Sequence, residues 1–389
     1  MKVYLDNAAT TPLDERVLEA MLPYMTDHFG NPSSTHQFGR KTKSAIETSR
    51  RAIAGALNVT PAEICFTSGG TEADNLAIRG SVNDLGCTRI ITSALEHSAV
   101  IKTSAEMEKA GLAEVCMVNL KSDGHIDLEH LESLLNTDKK CLVSLMHGNN
   151  EIANLLPLKR VGELCKKYNA IFHSDTVQTM GHYAFDLQDI HVHFITGAAH
   201  KFHGPKGIGF LYINRQIHVS PIITGGGQER EQRGGTENLY GIVGLGKAIQ
   251  LAYEHLEEHQ EHIGGMKQYM IAQINEHIPG CEFNGDCRSE DSLYTVLNVT
   301  LPENPNSSMM LFLLDIDGVA CSGGSACSSG ASKGSHVLTA LDAIKPNRTS
   351  LRFSFGRFTT REHIDFAVSK LKDLCAVKEN APGTKVRAR

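Results

Sequence analysis

The chain has 389 residues, 41% hydrophobic and 21% charged, with 38 basic against 44 acidic side chains and a formal net charge of −6. That is the balance of a soluble globular protein of two or three domains or one large α/β unit, without the basic excess of a nucleic-acid or membrane-surface protein. No apolar run reaches the ~18 residues of a bilayer span. The opening Met-Lys-Val-Tyr-Leu-Asp-Asn shows no export signal, so a cytoplasmic protein with ten reduced thiols is expected.

Short β-branched runs alternate with helical patterns through most of the chain. Strands are expected at 64–67, 89–93, 114–118, 141–146, 170–174, 194–196 and 208–213, with helices over 72–80, 99–110, 128–135 and 158–168. This alternation reads as βαβ units around a largely parallel sheet covered on both faces. A long helical stretch follows over 238–278, broken near Gly264-Gly265. A second, shorter α/β pattern (strand 295–300, helix 308–316, strand 350–355, helix 360–374) then reads as a smaller domain, and a loose tail begins at Val377. In such sheets ligands bind beyond the carboxyl ends of the strands, so the residues after each strand carry the chemistry.

Thr67-Ser68-Gly69-Gly70-Thr71-Glu72 follows a strand and opens a helix. Its glycines let the backbone approach a ligand, and the helix-start amides with the Thr71 hydroxyl suit a phosphate. An ordinary strand-to-helix turn with Thr71 as N-cap reads equally well. Asp175 ends the apolar run Phe172-His173-Ser174, where a carboxylate would pair with a protonated cofactor nitrogen or cap a helix. Lys201 follows the next strand, with His200 before it and His203 beyond. An amine near other cations and partly desolvated loses its proton readily, as an imine-forming lysine must. A solvated loop is the plain alternative, and the order strand–Asp, strand–Lys favours the chemical one.

His97, after the strand at 90–93, would stack on a flat heterocycle or move protons. Asn150 would bond a phenolic oxygen or a carboxylate, or shape a turn. The Gly-rich loop 225–236, with Arg230 and Arg233, suits an anion site, a subunit contact or a mobile surface. The run Cys-Ser-Gly-Gly-Ser-Ala-Cys-Ser-Ser-Gly at 321–330 is poor zinc spacing and no packed core. It presents Cys327 as an exposed, mobile nucleophile in preference to an inert loop thiol. Arg352 and Arg357 flank a strand, and an arginine fork there suits a substrate carboxylate or a salt bridge.

Taken in order, Tyr4-Leu5-Asp6-Asn7-Ala8-Ala9-Thr10-Thr11-Pro12, Gly30-Asn31-Pro32-Ser33, residues 67–75, Glu96-His97, Asn149-Asn150-Glu151, Asp175 with Gln178, His200-Lys201 with Gly204-Pro205-Lys206-Gly207, Arg233-Gly234-Gly235-Thr236, Ser325-Ala326-Cys327 and Arg352-Phe353 resemble the cysteine desulfurases that supply sulfur for iron–sulfur cluster assembly. The resemblance covers residue 3 to about 375 and favours the group with a long mobile loop around its cysteine. It implies a class V aminotransferase-like, fold-type-I enzyme dependent on pyridoxal 5'-phosphate. The fold would be α/β, a mainly parallel central sheet with helices on both faces plus a smaller α/β C-terminal domain. The large domain would span 15–260 and the small one 1–14 and 261–376, leaving 377–389 as a flexible tail.

By the same resemblance Lys201 would bind the cofactor as an imine, Asp175 would keep the ring nitrogen protonated, and His97 would stack on the ring. Gln178 and Asn150 would bond the ring oxygen or the substrate. Gly70, Thr71 and His200 would hold the phosphate, with Ala198 and Ala199 alongside and Thr236 of the partner subunit reaching across. Arg352 would clamp the substrate carboxylate. Cys327 would accept sulfur from L-cysteine as a persulfide, leaving alanine. It would pass the sulfur to acceptor or scaffold proteins in iron–sulfur assembly or tRNA thiolation, and through that persulfide is a candidate transient iron–sulfur ligand. A homodimer is implied, without direct contact to nucleic acid or membrane. One departure stands out. The family usually has a hydroxyl residue where this chain has Ala198, so a phosphate hydrogen bond is lost unless Thr196 or a water replaces it. Cys321 is left as a strand-end residue or a thiol relay. The rival readings are a selenocysteine lyase or other class V aminotransferase-like enzyme and, outside catalysis, a scaffold. Cys327 in its long loop argues against a plain aminotransferase, and intact Lys201, Asp175 and His97 argue against a scaffold.

Overall fold

The computed structural model describes residues 1–289, 292–323 and 334–376. Strand β1 (Val3–Tyr4) precedes two helices, α1 (Glu15–Thr26) and α2 (Gln37–Ala56). The alternating part follows: β2 (Ile64–Thr67), α3 (Gly70–Asn83), β3 (Arg89–Thr92), α4 (Ser98–Lys109), β4 (Glu114–Met117), α5 (Leu128–Leu135), β5 (Cys141–Ser144), α6 (Leu158–Lys167), β6 (Ile171–Asp175), β7 (Phe194–Ala198) and β8 (Gly209–Ile213). These seven strands form one sheet in the order β2-β8-β7-β6-β5-β3-β4. β8 runs antiparallel to both neighbours and the other pairings are parallel. Both faces are covered, so neighbouring residues of one strand enter different cores. Phe172 packs with Leu57, Ile195 and Leu245 on one side, and Ile171 with Leu76, Ile90 and Leu142 on the other. That explains why these strands read as unbroken apolar runs.

The remaining elements are α7 (Leu239–Glu254), α8 (Leu256–His277), β9 (Glu282–Phe283), β10 (Val296–Thr300), α9 (Met310–Ile316), β11 (Val319–Ala320), α10 (His336–Ala340), β12 (Ser350–Ser354) and α11 (Arg361–Cys375). A three-stranded antiparallel sheet, β12-β10-β9, and the parallel pair β1-β11 share a separate core with α8, α9 and α11. The helical stretch breaks at His255, not at Gly264-Gly265. Ile263, Met266, Met270 and Ile274 are buried on one side of α8. That stripe outweighs the ~1 kcal/mol each glycine costs a helix.

The stretch between β1 and α1 joins the two cores. Val3 and Leu5 pair with β11, Ala8 N–H donates to Ser354 Oγ at 2.8 Å, and Thr11 N–H donates to His200 O at 2.9 Å. Among the described residues no helix is long and apolar enough to cross a membrane, and all nine cysteines are unpaired thiols.

Candidate active site

The carboxyl ends of β6 and β7 and the start of α3 open into a cavity of about 220 Å3. Asp175, the last residue of β6, is 5% exposed. One carboxylate oxygen accepts the Val177 N–H at 2.8 Å. Burial first, then the nearby Asp74 carboxyl, holds its pKa above the ordinary carboxylate range, against the pull of His97. Gly69, at φ +153°, turns the chain from β2 into α3, and a Cβ on Gly70 would stand 2.8 Å from Val177 Cγ2. The helix therefore starts close against the segment that follows Asp175, and a side chain at Gly70 would have to push Val177 aside.

Lys201 lies in a short turn after β7. Its Nζ donates to the carbonyls of Ala8 (2.5 Å) and Ala9 (2.9 Å), and Gln178 Nε2 donates to the same Ala8 oxygen at 3.0 Å. Two backbone oxygens of the N-terminal segment thus aim the amine into the cleft. The flanking histidines are not the cations the sequence suggested. Burial pushes His200 down to about 4 and His203 to about 3, so both are neutral at pH 7.

His97 is the N-cap of α4, and its Nδ1 accepts the Ala99 N–H at 3.2 Å. A neutral ring therefore carries its proton on Nε2. Burial lowers its pKa, with Asp175 opposing and Lys201 reinforcing the shift. The preceding Glu96 is 2% exposed, accepts from Met146 N–H and Ser93 Oγ, and is raised to about 8, mainly by burial.

Arg352, at 1% exposure, donates from Nη1 to Asn150 O at 2.9 Å and from Nη2 to Asp6 Oδ1 at 2.8 Å, while its Nε has no partner among the described residues. Ser322 pairs with Arg352 along the backbone and donates its hydroxyl to Asp6 Oδ1 at 2.8 Å. On the other side Ser335 Oγ donates to buried Glu151 at 2.5 Å, and His336 Nε2 lies 3.0 Å from Glu96 O. Both flanks of residues 324–333 are thereby anchored beside the cleft.

Of the residues singled out from sequence, Gly70, Thr71, His97, Asn150, Asp175, Gln178, Ala198, His200, Lys201 and Arg352 line this one cavity. Ala199 does not: it sits in the core, with its N–H given to Ile208 O and its carbonyl taken by Gly204 N–H. Thr236 is exposed and lines no part of its own chain's cleft. Cys327, as sulfur acceptor or cluster ligand, lies outside the described residues, as does the tail from 377. Thr196 does not replace the missing hydroxyl at Ala198, because its Oγ1 is fully buried 3.1 Å from His173 Nε2. Cys321 follows β11, and burial raises its thiol to about 12, which disfavours a relay. Sequence reasoning gave no role to Asp6, Glu96 or Asp74, though they stand in the family motifs, nor to the carbonyls of Ala8 and Ala9. Polar residues at 1–2% exposure such as Asp74 and Glu96 look solvated in a helix or turn pattern, and carbonyls carry no residue signature.

The cavity fits pyridoxal phosphate. It combines an aimed amine (Lys201), a buried acid at a strand end (Asp175), an imidazole (His97) and a glycine-built helix start with the Thr71 hydroxyl and His200 beside it. The family described as aminotransferase class-V matches residues 3–366. The chain is 40% identical over 374 residues to the cysteine desulfurase IscS of Dictyoglomus turgidum, covering 95% of this chain and 94% of that one. It is 41% identical over 382 residues to the cysteine desulfurase IscS of Clostridium botulinum, covering 95% and 93%. A solved NifS-like protein superposes with a TM-score of 0.88 at 34% identity, covering 96% of this chain and 99% of that chain. The chain belongs to the aminotransferase class-V family.

Proposed function

We infer that the protein is a pyridoxal-phosphate-dependent cysteine desulfurase that takes sulfur from L-cysteine, releases L-alanine and carries the sulfur as a persulfide on Cys327. One arrangement supports this above the rest: Lys201, Asp175 and Arg352 converge on one cleft, and both flanks of the segment containing Cys327 are tied down at its edge. Ser322 lies against Arg352. Five residues at ~3.5 Å each give Cys327 a reach of up to ~17 Å from it.

Bound pyridoxal phosphate supplies an electron sink that acidifies the substrate's Cα–H and weakens its Cβ–S bond. Lys201 anchors the cofactor and, once the substrate amine has taken its place, moves the Cα proton. Asp175 balances the protonated ring nitrogen. His97 presents a neutral Nε2–H and a flat ring to the cleft. Arg352 receives the substrate carboxylate, with Asp6 and Asn150 O fixing its guanidinium. The Cys327 thiolate attacks the substrate sulfur: an S–S bond forms, the Cβ–S bond breaks, and its electron pair stays with the carbon skeleton, which leaves as alanine after protonation. The protein acts as a homodimer, Thr236 of the partner subunit completing the phosphate site, and hands its sulfur to acceptor proteins of iron–sulfur assembly or tRNA thiolation. The relatives named IscS and the position of Thr236 outside its own cleft support this reading.

Mass spectrometry after brief exposure to L-cysteine tests it. One extra sulfur atom on Cys327, absent from Cys327→Ala with cofactor still bound, is expected. Free sulfide released by Cys327→Ala at the wild-type rate without reductant would count against it.

A further inference from the structure

Asp74 of α3 lines the cleft together with Asp175, and a carboxylate oxygen of each and a ring nitrogen of His97 all lie within 4.8 Å of one another. Asp74 is 1% exposed, and its Oδ1 has no hydrogen-bond partner among the described residues. The basic group it approaches is His173 on β6, whose Nε2 is 3.4 Å from that oxygen. His173 is itself fully buried, with Ser144 Oγ 2.9 Å from Nδ1 and Thr196 Oγ1 3.1 Å from Nε2. Burial lowers its pKa to about 4, so it offers Asp74 no positive charge at pH 7. With the Thr196 O–H given to Asp74, the ring is satisfied by Ser144 O–H to Nδ1 and Nε2–H to Thr196 Oγ1.

A carboxylate anion is acceptor-only, and two anions this close in a buried space repel. We propose that Asp74 is a positioning residue for the cofactor: held by the Ser144–His173–Thr196 chain, it is the neutral acid of a carboxyl pair that leaves the single negative charge on Asp175. The role matters because Asp175 binds a protonated ring nitrogen only as an anion. With its proton on Asp74, the pair balances that nitrogen without a second uncompensated charge. The titratable groups facing Asp74 are Asp175 and His173 on β6 and Glu96 and His97 ahead of α4. Burial also moves Asp74 up to about 7, with the Thr196 hydroxyl opposing. The inference rests on the reading of the cleft as a pyridoxal-phosphate site.

Infrared difference spectra of the holoenzyme near neutral pH, wild type minus Asp74→Asn, test it. A carboxylic-acid C=O band assigned to Asp74 is expected in the wild type and lost in Asp74→Asn. Glu96→Gln identifies the separate band of the other buried acid. Thr196→Val shifts the Asp74 band without abolishing it, which keeps the test open if Asp74→Asn misfolds. Because Asn is also neutral, the dissociation constant for pyridoxal phosphate stays within about threefold of wild type. Superimposable spectra, or affinity weakened ~10-fold or more in a folded Asp74→Asn, overturns the proposal. The same spectra after cofactor removal report on Asp74 alone, whereas a wild type that never gains the visible cofactor band would overturn the reading of the cleft.

Discussion

Asp6 Oδ1 accepts from Arg352 Nη2 and from Ser322 Oγ, each at 2.8 Å, so one carboxylate oxygen holds both the arginine and the start of the segment leading to Cys327. Arg352 is buried, and a lost partner leaves its charge undersatisfied. Asp6→Asn is expected to cost about 2 kcal/mol of stability, read as a lowered thermal midpoint. Arg352→Lys keeps the charge but loses the planar fork, and is expected to lower kcat/KM for L-cysteine about 100-fold. Steady-state alanine formation checks it.

Lys201 Nζ donates to the Ala8 and Ala9 carbonyls. Lys201→Ala leaves the Ala9 carbonyl to water and the Ala8 carbonyl to Gln178 Nε2, and removes the amine the chemistry needs. The folded variant is expected to lose the covalent cofactor band and to form persulfide at least ~1000-fold more slowly. Absorbance and single-turnover sulfur labelling read the two effects.

Asp175 and Lys201 were legible because each follows an apolar run too short for a helix, at the end of a strand where parallel sheets bind ligands. The sheet itself was legible for the same reason. Helix α2 was not: Thr42, Ser49 and Arg50 on its inward side are buried, so no clean apolar stripe marks it. Arg50 is matched there by Glu229, 179 residues away, at 2.7 and 2.8 Å. The charge of His200 and His203 was misread because burial, invisible in a window of sequence, decides their protonation. Asp74 was passed over because a polar residue within a helix ordinarily faces water.

Glu96 and Asp74 hold their protons in the fold to about 8 and about 7, from ordinary values of 4.5 and 3.8. Burial is the first cause in both. Between about pH 4 and 8 the unfolded chain ionises these acids while the native protein does not, so the native state binds more protons. His173, His182, His193, His200 and His203, lowered by burial to about 3 to 4, act the other way below about pH 6.5, because the unfolded chain protonates them and the native protein does not. Stability without cofactor is therefore expected to fall as pH rises from about 6.5 to 8. Glu96→Gln should flatten the slope. Thermal midpoints at pH 5 to 8, compared between wild type and variant, measure it.

Gly70 stands where a Cβ would meet Val177 Cγ2 at 2.8 Å, and Val177 N–H is the donor that fixes Asp175 at 2.8 Å. Gly70→Ala should leave stability nearly unchanged, since alanine is the better helix former by up to ~1 kcal/mol and offsets the contact. The displaced Val177 would move Asp175 and crowd the helix start, weakening pyridoxal phosphate binding about 10-fold. If that contact is the cause, Val177→Ala added to Gly70→Ala makes room and restores affinity. A double variant as weak as the single one would place the defect in the α3 backbone instead. Equilibrium cofactor titration of the three proteins separates the two outcomes.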